Sequence, residues 1–245
     1  HEGANLVSFF ALPLENSIPI LFNDLGEIIT GIVGASVVSS NLGNGEWAGN
    51  IEEIDRGSGY WLKLNDVGYL QIIGIPSNEV IYSLEEGNNL CSYSYSLSQT
   101  IEDAIPLYAQ SSIFGIAGEG AATMNVNGIW HGSLSYFVGG QGYWFQISDE
   151  IEFSYNEPIR DDIALMSNIN NEINRLPVVP DEYSYAQSGS QAFFFISKAQ
   201  IDGNLLERGD WLIAYHKNVI VGSRMWSGEF TDVPAMGFES DNINT

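Results

Sequence analysis

One pattern is written twice along this chain. "EGANL" at 2–6 returns as "EGNNL" at 86–90, "GIVGASVV" at 31–38 as "GIAGEGAA" at 115–122, "WAGNI" at 47–51 as "WHGSL" at 130–134, and "GSGYW" at 57–61 as "GQGYW" at 140–144. The first two pairs are 84 residues apart and the last two 83, so one residue is gained or lost between them. Four ordered blocks at a nearly constant offset describe a duplication, and each copy must then close an equivalent core. Residues 1–80 and 81–158 are expected to be two repeat domains, 159–180 a connector and 181–245 a C-terminal β module.

Within a copy, the pattern predicts a strand, a short helix and then several strands. "LVSFFAL" at 6–12 is apolar on both faces, while "LCSYSYSL" at 90–97 places Cys91, Tyr93, Tyr95 and Leu97 on one side of a period-two strand. A helix is expected over 17–26, with Ser17 as N-cap, Pro19 in the first turn and Gly26 at the stop. Its counterpart over 100–110 starts at Thr100 with Glu102 and Asp103 in the first turn, and Pro106 should shorten or kink it. The other segments are brief, β-branched or aromatic, and separated by Gly, Asn and Asp. The expected fold class is therefore two tandem small α+β repeat domains with mainly antiparallel sheets, followed by an all-β, sandwich-like module.

The signature residues are Gly57, Gly59, Tyr60 and Trp61 in the first copy and Gly140, Gly142, Tyr143 and Trp144 in the second, with Trp47 and Trp130 as further anchors. The glycines permit a tight turn or a close backbone approach, and the Tyr-Trp pair then opens a strand with its rings on opposite faces. One ring should enter the core and the other lie on the outer face, where it could stack on a sugar. Aromatic rings bury large areas, which favours a folding role for both.

Residues 159–180 carry Ile163, Met166, Ile169, Ile173 and Leu176 at helical spacing before Pro177 and Pro180, as in a helical connector. Beyond them, strands alternate with turns at "DGN" (202–204), "RGD" (208–210) and "HKN" (216–218). "RGD" is read as a turn before "WLIAY", since a three-residue match to an integrin ligand is weak.

Charge narrows the partners. The formal net charge is −23, and no Lys or Arg lies between residues 81 and 158. Such a surface cannot neutralise phosphates, which argues against nucleic acid and anionic membranes and leaves divalent cations and neutral surfaces. No apolar run is long enough to cross a bilayer as a helix. The chain opens at His1 without an initiator Met or signal peptide, as a mature product or a piece of a longer chain would.

No residue pattern announces a reaction. His1, His131 and His216 have no metal-ligand spacing, and the one cysteine, Cys91, reads as a small buried hydrophobe. The Gly-rich stretches "GEGAA" and "GGQGYW" lack the strand-to-helix context and the cation of a phosphate site. The acid pairs Glu52–Glu53, Asp149–Glu150 and Asp161–Asp162 read as solvated turns rather than glycosidase carboxylates. No cofactor is expected; "DGN" and "ESDNIN" (239–244) offer oxygen ligands for Ca2+ without EF-hand spacing.

The blocks "HEGANLVSFFALP", "GIVGASVV", "WAGNIEEI" and "GYW" resemble a tandem module of large structural proteins of tailed phages of marine cyanobacteria and of secreted proteins of marine bacteria. The stretch from "QAFFFISKAQIDG" to "VPAMG" is similar to a β module that follows it there. The second copy departs at "SYSYSL", where the first has "SFFALP". The resemblance carries no catalytic residues. It implies a non-enzymatic structural or adhesive segment of a virion surface protein, a fibre, decoration or tail-associated component, that meets copies of itself or neighbouring virion proteins. A secreted bacterial adhesin or filament subunit is the second expectation, and a carbohydrate-binding module that takes a cell-surface glycan is the third.

Overall fold

The computed structural model describes residues 1–76, 79–159 and 177–238. Strand accounts for 45% and helix for 8%, so the α part of the expected α+β units shrinks to isolated turns. The first stretch contains β1 (Gly3–Val7), β2 (Ala11–Leu12), α1 (Ile18–Leu21), β3 (Ile29–Val33), β4 (Val38–Gly43), β5 (Glu46–Gly49), β6 (Tyr60–Leu64) and β7 (Ile75–Pro76). The second contains β8 (Tyr82–Leu84), β9 (Gly87–Ser92), β10 (Gln99–Thr100), α2 (Ile101–Ala104), α3 (Leu107–Gln110), β11 (Ile113–Ala117), β12 (Ala122–Val126), β13 (Ile129–Gly132), β14 (Tyr136–Phe137), β15 (Gly142–Ile147) and β16 (Ile151–Phe153). The third contains β17 (Gln191–Ile196), β18 (Gln200–Ile201), β19 (Asn204–Leu205), β20 (Trp211–His216), β21 (Val219–Met225) and β22 (Thr231–Met236).

Two antiparallel five-stranded sheets dominate the described residues, with orders β1-β6-β3-β4-β5 and β9-β15-β11-β12-β13. Corresponding strands thus occupy corresponding places. The registers correspond as well: Trp61 lies opposite Leu6 and Val33, and Trp144 opposite Leu90 and Ala117. An irregularity between Ile29 and Gly31 recurs between Ile113 and Gly115. Each outer hairpin closes on Asn-Gly, with φ of 55° and 79° at Asn44-Gly45 and 55° and 85° at Asn127-Gly128. Both central residues of a primed two-residue turn need positive φ, and Asn-Gly meets that need at least cost.

The helices are shorter than the pattern predicted. α1 is a single turn that continues as a 3-10 turn at Asn23–Leu25 and stops at Gly26, where φ is +52°. Ser17 takes the N-cap position but its side chain makes no cap hydrogen bond. Thr100 does cap, its hydroxyl accepting from Asp103 N at 3.1 Å and donating to Asp103 Oδ2 at 2.6 Å. The expected helix over 100–110 is two single turns, α2 and α3, divided at Ile105-Pro106, because Pro106 has no N–H to continue α2.

Each sheet closes a core on one face. The first gathers Phe9, Phe22, Ile32, Ile54 and Tyr60; the second is richer in rings, with Tyr93, Phe137, Tyr143, Phe145 and Tyr155. Phe137 and Tyr143 meet edge to face at 4.8 Å, a favourable arrangement of ring quadrupoles. The strand expected over 90–97 ends earlier, at Ser92, and Tyr93 stays fully buried with its hydroxyl donating to the Leu97 carbonyl at 3.0 Å.

In the third stretch β17 pairs with β22, and the β20–β21 hairpin packs on that pair. Gly222 makes the approach possible, since a Cβ there would overlap the Pro234 carbonyl oxygen. Val221, Trp226, Val233 and Met236 form its buried centre. "DGN" is the turn of the β18–β19 hairpin, with φ of 50° at Asp202 and 84° at Gly203. The helical spacing expected between 160 and 176, the acid pair Asp161–Asp162 and "ESDNIN" lie outside the described residues.

Candidate functional site

Strand alternation separates the two rings of each GxGYW block. Tyr60 and Tyr143 point into the cores, where their hydroxyls accept from Asp55 N at 2.9 Å and Val138 N at 2.7 Å. Burial pushes both phenols above the ordinary tyrosine range. Each therefore joins its core to the loop that leads into its own strand. Trp47 and Trp130 stay partly buried against their cores, Trp47 tilted on Phe22 with centroids 6.4 Å apart.

The tryptophans that follow face the other way and meet between the two sheets. Trp61, 3% exposed, lies in a cluster with Ala4, Leu6 and Leu90, and Val33 and Trp144 pack against it. In the first sheet the outer-face ring expected from strand alternation is thus not a free platform; it forms a joint. Its indole Nε1 is buried without a hydrogen-bond partner among the described residues, so apolar packing must supply its stabilisation.

Backbone pairing around this joint is reciprocal. Val7 bridges Gln141 and Cys91 bridges Ser58; Ser8 N donates to the Gly140 carbonyl at 2.9 Å, and Ser92 N to the Gly57 carbonyl at 3.0 Å. Adding 84 to the first partner and subtracting 83 from the second converts one set into the other. This is the relation of an isologous interface, in which each surface contacts its equivalent. The second glycine of each motif makes it possible. A Cβ on Gly59 would stand 2.9 Å from the Cys91 carbonyl oxygen, and one on Gly142 would stand 2.8 Å from that of Val7.

The symmetry breaks at the loop between β11 and β12, "GEGAA" at 118–122. Glu119 reaches the first sheet, its carboxylate accepting from Leu6 N at 2.9 Å and contacting His1 Nε2 at 2.6 Å. That covers an N–H on the edge strand β1, a position that would otherwise be open for pairing. The rest of the loop faces the third stretch. Gln191 donates to the Gly118 carbonyl at 2.7 Å and accepts from Gly120 N at 3.2 Å, and Arg224 donates to the Gly120 carbonyl. All three parts of the fold meet on these five residues.

Asp232 completes the contact. It is 1% exposed and accepts from Ala122 N at 3.2 Å, Ser133 Oγ at 2.7 Å and Arg224 at 3.3 Å. Burial pushes its carboxyl above the ordinary aspartate range, which Arg224, Ser133 and the Ala122 N–H offset in part. The first sheet closes the equivalent group by itself: Val38 N donates to Asn50 Oδ1 at 2.7 Å. Asn50 and Ser133 are the fourth residues of the two WxGx blocks, and the shorter serine leaves an N–H for Asp232. Among the described residues this explains why the third stretch sits on the second sheet.

Beside the junction a cleft of about 480 Å³ lies between the outer face of the second sheet and β17. Asn88, Trp144 and Gln146 are on its floor and Phe193 and Phe195 on its opposite wall, with Phe114 at its side.

The other singled-out groups are dispersed. Cys91 is buried in the second core, which pushes its thiol up to about 12. His131 lies tilted against Phe230 with centroids 4.9 Å apart, and His216 ends β20. Glu52, Glu53, Asp149 and Glu150 are exposed. "RGD" forms the turn before β20, where Asp210 N donates to the Glu207 carbonyl and Asp210 Oδ2 accepts from Glu207 N. Among the described residues no group of three or more His, Cys, Asp or Glu is placed to hold a metal ion, and no helix is long and apolar enough to cross a membrane.

Glu119, Gln191, Arg224 and Asp232 escaped the sequence reading. The available signals were the Asn50/Ser133 difference inside a repeated block and an acid within the apolar run "TDVPAM". No protein-family model matches the chain, and no curated protein or solved structure matches it either.

Proposed function

We propose that this chain is a non-enzymatic structural and adhesive segment of a larger extracellular assembly, of the kind carried on a virion surface. In this reading residues 1–80 and 81–158 are two tandem copies of one small unit, and 181–245 is a sandwich-like β module fixed to the second copy. The observation that carries it is the convergence of three parts of the fold on residues 118–122, alongside the reciprocal joint at Trp61 and Trp144. Such fastening holds surfaces at set distances, which is the task of a spacer or display element. The deeply buried Asp232 is tied into the first of these contacts.

Neighbouring chains of the assembly, copies of itself included, are the proposed partners. A net charge of −23 opposes close approach of identical chains, so self-contact should strengthen as salt screens it or as Ca2+ bridges carboxylates. Light scattering from low to seawater-like salt, with and without Ca2+, tests this together with imaging of the native particle. Salt-promoted association and a defined place on the particle are expected. A monomer under every condition, absent from any particle, would remove the assembly role.

A further inference from the structure

We infer that the cleft between the second sheet and β17 is a binding site for a neutral saccharide. Three observations converge. First, none of the described residues lining the cleft is charged, in a chain whose net charge is −23. Acidic polysaccharides would gain no cation there and would face the field of the whole molecule, so the lining selects a neutral ligand.

Second, the polar groups are of the right kind and are uncommitted. Asn88 and Gln146 are cross-strand neighbours on β9 and β15, both exposed, and neither side-chain amide has a hydrogen-bond partner among the described residues. An amide both donates and accepts, so two side by side can address adjacent hydroxyls whatever their orientation.

Third, rings flank the amides. Trp144 lies two residues from Gln146 on the same face of β15, and Phe193 and Phe195 alternate from β17 opposite. Phe114 adds a ring that is 51% exposed. The apolar face of a sugar packs on such rings while its hydroxyls meet the amides, and about 480 Å³ is within the ordinary range for a small-ligand site. The first sheet cannot form this site. Its positions equivalent to Asn88 and Gln146 are Ala4, which is buried in the joint, and Lys63, which carries a charge.

This goes beyond the assembly role and does not require it, since a monomer that never joins a particle would still bind. The test is calorimetric titration of the full chain with neutral gluco-, manno-, galacto- and N-acetylglucosamine oligosaccharides, with alginate and sialyl-lactose as acidic comparators. At least one neutral series should bind and quench tryptophan emission, and the acidic ones should not. Gln146→Ala and Phe193→Ala should each weaken binding by about tenfold, the loss of roughly one hydrogen bond or ring contact, and Gln146→Ala, at an exposed position, should leave the melting midpoint unchanged. The proposal is overturned if no neutral series binds, if the acidic ones bind as well, or if both variants bind like the parent. It is equally overturned if the cleft takes the apolar dye anilinonaphthalene sulfonate and no sugar.

Discussion

The Asp232 carboxylate accepts the Ser133 hydroxyl at 2.7 Å across the boundary between the C-terminal strands and the second sheet. In the first sheet the residue equivalent to Ser133 is Asn50, which satisfies the nearby Val38 N–H without outside help. A difference of one side chain thus decides which sheet has a donor to offer.

Ser133→Asn should let the second sheet close Ala122 N internally and leave Asp232 buried with fewer donors. An unsatisfied buried partner costs about 1–3 kcal/mol, directed at the docking of β17–β22. Hydrogen exchange should show protection lost over 231–236 and retained over 60–64. Equal loss in both regions would mean that Ser133 supports the whole fold.

The motif glycines should separate by what their Cβ would meet. At Gly59 an added methyl group meets the Cys91 backbone at 2.9 Å, whereas at Gly57 it meets side chains alone, Asp55 at 3.3 Å and Val80 at 3.6 Å. Gly59→Ala should cost about 1–3 kcal/mol, as overpacking does, and Gly57→Ala much less. Chemical denaturation of the two variants decides it, and matching midpoints would count against the close approach.

Truncating Trp61 should cost about 3–5 kcal/mol, the range for a buried large aromatic. Because its ring packs with Leu90 and Trp144, Trp61→Ala should also loosen the second sheet. Exchange rates at Leu90 and Trp144 report this directly. Unchanged rates there would place the ring's contribution within its own unit.

Asp232 predicts a pH dependence. Its folded carboxyl is pushed above the ordinary value, so between that value and the raised one the folded chain holds a proton that the unfolded chain releases. Stability from this group is therefore fully present below the ordinary aspartate value and is lost as pH rises through the raised one. Urea midpoints from about pH 4 to about pH 7 should show the parent losing ground relative to Asp232→Asn, whose side chain does not titrate. A parent that gains relative to the variant over that span would reverse the sign and show that pairing with Arg224 outweighs burial.

Cys91 should resist alkylation in the folded chain, because its thiol is buried and pushed up to about 12, and only the thiolate reacts. Maleimide labelling at mildly alkaline pH should appear only with unfolding. Fast labelling of native protein would mean that the joint opens readily.

Much of each sheet was legible before any coordinates. Thr100 marked its cap and Pro106 the break between α2 and α3, because each acts through the backbone within a few residues. Alternation also separated Tyr60 from Trp61. Local chemistry could not state where the outward ring would go, since the position of Leu90 relative to Trp61 depends on how the two sheets meet. The reach of Glu119 to Leu6 N spans 113 residues and that of Asp232 to Ala122 N spans 110, and no periodicity encodes such a distance. Sequence by itself determined most of the strands, several of their turns and that the two rings of each pair face opposite ways, all consequences of neighbouring φ and ψ. Tertiary structure alone decided that the outward rings become a joint and that "GEGAA" becomes a junction. It also placed Asn88, Gln146 and the β17 rings around one charge-free cleft, because packing brings these groups together across the chain.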